Sequence, residues 1–135
     1  MKEPETIKIE EKLQKDPYAE YLGIKLEEVK EGYARASLKI KEEFLNFSGY
    51  VHGGAIFSLA DQAFAAASNS RGELALAIQM NICYVKAPSV GDILHAEAKE
   101  EHLGGKIALY HIKVKNSHNA LIAEAQGIVY RKKIS

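Results

Sequence analysis

The sequence contains one cysteine, Cys83, and no tryptophan among its 135 residues. A single cysteine excludes an internal disulfide framework and a zinc site that is built on several cysteines. No apolar run is long enough to cross a bilayer without polar breaks, and the charged N-terminus lacks the apolar core of a signal peptide. We therefore expect a cytoplasmic protein that has no membrane partner.

Neither sign of charge is in excess, because 18 Lys and Arg residues balance 18 Asp and Glu residues. This balance gives no electrostatic reason to expect a nucleic-acid partner. The sequence also lacks the HExxH, CxxC, phosphate-loop and dinucleotide-binding fingerprints, which are the short motifs that hold metals and nucleotide cofactors. We accordingly expect no metal and no cofactor.

The spacing of apolar and turn residues predicts two helical regions and six strands. The N-terminal segment 1–22 is predicted to be helical from about residue 5, with Pro17 starting a second short helix after Asp16. The central helix is predicted over 53–70. Strands are predicted at about 24–29, 33–40, 74–85, 92–103, 106–116 and 120–131, with Gly, Pro and Asn residues between them.

This order of elements predicts an α+β fold in one domain, residues 1–135. Strands joined by short turns form antiparallel sheets, and the central helix is the only one apolar enough to pack on the concave face of such a sheet. A single sheet around one helix leaves open edges and an apolar flank. We therefore expect a homodimer that continues the sheet.

One charged residue stands out in the predicted central helix, whose sequence is GGAIFSLADQAFAAASNS. Asp61 is its only ionisable side chain, and Phe57 and Phe64 are expected to extend the apolar surface onto the face that carries it. A lone carboxylate in a buried helix is costly unless it is paired, protonated or functional. The residue either belongs to a site or makes a structural contact, such as a backbone cap or a pair across a subunit interface.

The loop before this helix, from Asn46 to Gly54, contains three glycines and leads into a helix N-terminus. Free backbone N–H groups and the helix dipole favour an anion or a polarised carbonyl oxygen at such a point. Gly53 offers a donor without a side chain, and Asn46 offers an amide. Asp61 lies two turns further along, so it is expected to meet the loop of a partner chain. The alternative is that His52-Gly53-Gly54 is only a tight turn into the helix.

Two segments, NFSGYVHGGAIFSLADQAFA and QMNICYVKAP, carry a family resemblance that runs from about residue 18 to residue 132. The chain resembles the hotdog-fold acyl-CoA thioesterases, and specifically their phenylacetate-pathway (PaaI-like) branch. This resemblance implies an antiparallel sheet wrapped around one central helix, dimers with a continuous sheet, and pairing of dimers into a homotetramer. It implies hydrolysis of an acyl- or aryl-CoA thioester to a free acid and CoA.

The resemblance also implies roles for four catalytic residues. Asp61 would act as the nucleophile or as the general base that activates water, facing Asn46 and Gly53 of the other chain. The Gly53 N–H would polarise the thioester carbonyl, Asn46 would orient water or substrate, and His52 would shape the loop. The chain departs from some relatives at Ala77, where a Ser or Thr helps to hold the water, and Gln79 and Ser68 are the candidates to replace it.

Substrate binding is expected at four further residues. Because coenzyme A carries phosphates, basic side chains should lie outside the catalytic pocket, and Lys86 and Lys106 are the candidates. Gly54 and Gly105 are the backbone candidates, although Gly105 also suits a hairpin turn. Two other functions stay open: a hotdog hydratase or dehydratase that uses His52 with Asp61, and a non-catalytic acyl-CoA-binding module.

Overall fold

A computed structural model describes residue 9 and residues 11–132 of the chain. The described elements are helix α1 (Pro17–Leu22), strand β1 (Lys25–Lys30), strand β2 (Tyr33–Lys39), a 3-10 turn (Glu42–Phe44), helix α2 (Gly53–Ser68), strand β3 (Leu74–Tyr84), strand β4 (Ile93–Leu103), strand β5 (Ile107–Lys115) and strand β6 (Leu121–Lys132). Within these residues, no helix has the length and apolar character needed to cross a membrane.

The described strands form one six-stranded sheet in the order β1-β2-β4-β5-β6-β3. Every neighbouring pair is antiparallel, as predicted. Helix α2 follows β2 in sequence, and β3 then joins the sheet at the edge opposite β1. Helix α2 contacts all six strands of the sheet, so it lies across one of the two faces.

The core lies between α2 and the inner face of the sheet, which carries small side chains where the helix crosses it. Ala34 and Ala36 of β2, with Ala96 and Ala98 of β4, are fully buried. They alternate with outward-facing residues, as the period of a half-buried strand requires. Small residues on both surfaces allow the helix and the sheet to approach closely.

Phe64 belongs to this core, so the prediction that it shares the face of Asp61 was wrong. It is 1% exposed, and its ring lies 5.8 Å from that of Tyr110, centroid to centroid. A Cβ on Gly127 of β6 would come within 2.5 Å of the Phe64 ring. Because glycine has no side chain, position 127 leaves room on the inner face of the sheet for the Phe64 ring, and Phe64 packs there.

The helix boundaries differ from the prediction at two points. Helix α2 ends at Ser68 rather than at residue 70, because the buried Asn69 caps it. The Asn69 amide donates to the carbonyls of Ala65 and Ala75, and its oxygen accepts from the Ala75 N–H. At the N-terminus, residues 11–14 are helical and α1 begins at Pro17 as predicted, whereas residues 1–8 and 10 of the predicted helical segment lie outside the described residues.

Candidate active site

Asn46 stabilises the loop before α2 by accepting hydrogen bonds from other residues of that loop. The Oδ1 of Asn46 accepts hydrogen bonds from Ser48 N–H at 2.9 Å, from the Ser48 hydroxyl at 3.0 Å and from Tyr50 N–H at 3.1 Å. An isolated bridge between Leu45 and Val51 closes the base of the loop. The Oδ1 of Asn46 therefore serves to stabilise the loop. The amide nitrogen of Asn46 has no acceptor among the described residues and is available to donate to a substrate or a water.

His52 caps the first turn of α2. It has extended backbone angles, and its Nδ1 accepts a hydrogen bond from Gly54 N–H at 2.8 Å. A Cβ on Gly54 would lie 2.9 Å from that nitrogen. The N–H of Gly54, which was predicted to bind substrate, is thus already used by His52, whereas the N–H of Gly53 has no acceptor among the described residues. Gly53 is the free donor at the positive end of the helix.

We expect His52→Ala to lower the free energy of unfolding by about 1 kcal/mol, the usual cost of losing an N-cap. Asparagine caps helices well, so His52→Asn should keep most of that stability. Urea unfolding followed by circular dichroism measures both variants. Equal losses for the two substitutions would mean that the cap does not stabilise α2.

Asp61 lies on the open flank of α2, where no side chain is fully buried. This flank is formed by Gly54, Phe57, Ser58, Asp61 and Ala65. Asp61 itself is half-buried, and the described residues supply no salt-bridge or hydrogen-bond partner for it. Burial raises the pKa of the Asp61 carboxyl above its ordinary value, and the negative charge of Asp16 raises that pKa further.

Helix α1 brings Asp16 to this flank. Asp16 is the N-cap of α1, where its Oδ1 accepts from Ala19 N–H at 3.0 Å. The hydroxyl of Ser58 donates to the Gly54 carbonyl oxygen at 2.8 Å and accepts from the Tyr18 hydroxyl at 2.9 Å. These bonds hold α1 against α2 one turn before Asp61. The sequence reasoning did not predict that Asp16 and Tyr18 lie beside Asp61. It identified Asp16 only as the residue before Pro17 at the start of a short helix.

The structure separates Asp61 from Gly53 within one chain. Eight residues of helix at about 1.5 Å each place them about 12 Å apart along the axis. The loop of Asn46 lies at the Gly53 end of α2. Within a single chain Asp61 is therefore separated from Gly53, and that the loop faces a partner's Asp61 stays a prediction.

The four predicted substrate-binding residues fall into two places. Lys86 lines a cavity of about 280 Å³ together with Gly53, and Gly54 follows directly. Gly105 and Lys106 instead form the turn between β4 and β5. That turn lies near the C-terminal end of α2, where Arg71 bonds to Glu100 at 2.9 Å, so it is at the opposite end of the helix from Gly53.

Ala77, and the two residues that were suggested to replace a water-holding Ser or Thr there, lie in different environments. Ala77 is exposed on β3, beside an irregularity in the pairing between Ala77 and Gln79. Ser68 donates its hydroxyl to the Ala65 carbonyl of its own helix at 3.2 Å and is buried. Gln79 is exposed on the edge strand, and its side-chain amide has no partner among residues 11–132.

Comparison with known proteins shows the family to which the chain belongs. Residues 48–123 match the family model of the thioesterase superfamily. A protein of Archaeoglobus fulgidus, whose name assigns it provisionally to the esterases, is 55% identical over 116 residues, which cover 86% of this chain and 75% of that protein. The acyl-coenzyme A thioesterase PaaI of Escherichia coli is 35% identical over 116 residues, covering 86% of this chain and 83% of the enzyme.

Solved structures show the same likeness. The E. coli PaaI protein from the phenylacetic acid degradation operon superposes with a TM-score of 0.88 at 31% identity, covering 96% of this chain and 94% of that chain. A Streptococcus mutans protein solved bound to acetyl CoA superposes with a TM-score of 0.77 at 27% identity, covering 81% of this chain and 88% of that chain.

The chain belongs to the thioesterase superfamily. Its six-stranded antiparallel sheet around one long helix is the predicted hotdog fold, and the predicted PaaI-like resemblance is confirmed. The predicted enzyme class, a thioester hydrolase, is confirmed by the same comparisons. Within the described residues, no group of three His, Cys, Asp or Glu side chains is placed to hold a metal ion.

Proposed function

We propose that the protein hydrolyses acyl-CoA thioesters at a site built from two chains. The observation that carries this proposal is the presence on one helix of the Gly53 N–H and the half-buried Asp61 carboxylate, about 12 Å apart along the axis. Neither group has a hydrogen-bond partner in the part of the chain that the structure describes. An acyl-CoA thioesterase and a protein bound to acetyl CoA are among the relatives, which supports a CoA thioester as the substrate.

The chemistry needs a polarised carbonyl and an activated water or a direct nucleophile. The Gly53 N–H donates to the thioester carbonyl oxygen and stabilises the negative charge that develops there. As a general base, Asp61 takes a proton from water while the water oxygen attacks the carbonyl carbon. The C–S bond then breaks and the sulfur leaves with a proton as free CoA. As a nucleophile, Asp61 would instead attack the carbonyl carbon and form an anhydride as the C–S bond breaks and CoA leaves as the thiolate, which takes a proton from water. Water would hydrolyse the anhydride in a second step.

The two edges of the sheet differ in a way that favours a dimer through β3. Four of the six residues of the β1 edge, KLEEVK, are charged, and charged side chains on an edge strand discourage strand pairing. The eleven-residue β3 edge exposes Leu76 at 52% and Ile78 at 58%. Antiparallel pairing of two β3 strands about a two-fold axis would run the two α2 helices in opposite directions, so each Asn46 loop would face the open flank of the other helix. A tetramer would pair two such dimers.

Lys86 is proposed to bind the CoA portion, because it lines the same cavity as Gly53. In the proposed dimer, Gly105 and Lys106 would serve the partner's site, because they lie at the far end of their own helix. Asn46 would orient the water or the acyl group through its amide nitrogen, since its oxygen is held by the loop.

We expect the acidic limb of the rate profile to lie above the ordinary Asp pKa of 3.8. Burial and the Asp16 charge both oppose ionisation, so more alkaline solution is needed to form the active carboxylate. Asp16→Asn should lower the pKa of Asp61 and shift that limb to lower pH, while asparagine keeps the α1 cap. Carboxyl NMR of Asp61 over pH checks both, and an Asp61 pKa at or below 3.8 in the unmodified protein would contradict this account.

A panel of aryl-, short- and long-chain acyl-CoAs tests the proposed function through release of free thiol. Release of CoA that depends on the protein supports hydrolysis. An absorbance change with an enoyl-CoA but no thiol release would instead indicate a hydratase. Binding of acyl-CoA without either reaction would indicate a binding module, and both of these outcomes contradict the proposal.

A further inference from the structure

Tyr84, at the end of β3, reaches across to the first residue of α2. Its hydroxyl donates to the carbonyl oxygen of Gly53 at 3.1 Å. Atoms of its ring lie 3.1 to 3.4 Å from the position that a Cβ on Gly53 would occupy. Tyr84 also lines the cavity that contains Gly53 and Lys86, although 48% of it is exposed.

The contact explains why a glycine occupies position 53. Gly53 does not have a positive φ, so its backbone conformation alone would accept an L side chain. The space for that side chain is taken by the Tyr84 ring. The ring therefore covers one side of Gly53 and leaves the N–H open.

The peptide unit between Gly53 and Gly54 is held at both of its polar atoms. Its oxygen accepts from Tyr84, and its N–H donates to His52 Nδ1 at 2.8 Å. Fixing this unit from a neighbouring strand and from the helix cap restricts rotation around Gly53, which has no side chain to do so. The direction of the Gly53 N–H is restricted with it. Burial raises the pKa of the Tyr84 hydroxyl, so the group remains a donor at neutral pH.

We propose that Tyr84 is a positioning residue that, together with His52, clamps the Gly53–Gly54 peptide and aims the Gly53 N–H at the thioester carbonyl. This inference rests on the proposed thioesterase function and deepens it. A preorganised donor stabilises charge in a transition state without reorganising as the reaction proceeds. Loosening the clamp should therefore affect turnover more than substrate binding.

Tyr84→Phe tests the clamp, because it keeps the ring and removes only the hydroxyl. We expect kcat for thiol release to fall by about 3- to 10-fold, less than the 10²–10³-fold typical of losing an oxyanion donor itself, with KM changed by less than about two-fold. The matched control is Tyr130→Phe. Tyr130 is an exposed tyrosine of β6 whose hydroxyl has no partner among the described residues. The kcat of the Tyr130→Phe variant should therefore equal that of the unmodified protein.

A second pair of variants tests the geometry without activity. Gly53→Ala should lower the melting temperature, because its methyl group meets the Tyr84 ring, and this loss should shrink when Tyr84→Ala is also present. Additive losses would overturn the clamp. If Gly53→Ala lowers the melting temperature less in the presence of Tyr84→Ala, but Tyr84→Phe leaves kcat unchanged, Tyr84 has only a structural role. That result would overturn the positioning role. Absence of thiol release from every acyl-CoA by the unmodified protein would contradict the proposed function and the positioning role with it, while the melting temperatures would still decide whether the contact exists.

Discussion

Replacing Asp61 by asparagine is expected to lower kcat for thioester hydrolysis by at least about 10²-fold while the protein stays folded. The amide keeps the shape of the carboxylate but can neither accept the proton of water nor attack a carbonyl. The folded protein should be at least as stable as before at neutral pH. Because the pKa of Asp61 is raised above 3.8, ionisation of this group opposes folding fully above the raised pKa. This cost decreases as the pH falls from the raised pKa to the ordinary value and is absent below it.

The control for this substitution is Glu124→Gln, which removes a carboxylate from the outer face of the sheet, away from α2. Glu124 pairs there with His111, Oε1 to Nε2, at 2.6 Å. This variant should retain the turnover of the unmodified protein. Turnover of Asp61→Asn that matches that of Glu124→Gln would remove Asp61 from the mechanism, whatever its effect on stability.

Mixing Asp61→Asn chains with Asn46→Ala chains is expected to restore activity that neither variant has alone. In a dimer of one chain of each kind, one site combines the unmodified Asp61 of one chain with the unmodified Asn46 of the other. A random equal mixture of two-fold dimers would then carry about one quarter of the sites in working form. Unfolding and refolding the chains together ensures that they exchange, and differently tagged chains allow the mixed dimers to be purified.

The activity of the purified mixed dimers tests whether the site is shared between chains. Thiol release at about half the rate of unmodified dimers supports a site shared between chains. No recovery in confirmed mixed dimers would mean that each chain builds its own site. Asn46→Ala also removes the oxygen that holds the loop, so Asn46→Asp, which keeps that oxygen and replaces the amide nitrogen, separates loop support from substrate contact.

Local patterns in the sequence predicted the elements and the start of the central helix. The alternation of Ala34, Ala36 and Leu38 gave the buried face of β2, and all three are buried. His52-Gly53-Gly54 was predicted to lead into the N-terminus of the apolar central helix, and α2 begins at Gly53. These features depend on residues close together in sequence, where periodicity carries the information.

Contacts between distant residues were not predictable in this way. Phe64 lies only about 60° around the helix from Asp61, so helical periodicity could not predict whether its side chain faces the sheet. It faces the sheet because Gly127 on β6 leaves room for its ring. Tyr84 meets Gly53 from a strand 31 residues away, and Asp16 affects Asp61 from another helix. Each of these depends on how α2 lies on the sheet, which no local pattern specifies.

The central claim is that Gly53 of one chain and Asp61 of another act on one thioester. The most direct test is a crystal structure of the protein with a CoA analogue in which a methylene group replaces the thioester sulfur, so that the carbonyl remains but hydrolysis cannot occur. The account predicts the analogue's carbonyl oxygen about 2.7–3.1 Å from the Gly53 N, with the Asp61 carboxylate of the other chain facing the carbonyl carbon. A carbonyl bound away from Gly53, or one that faces no Asp61 from either chain, would contradict it.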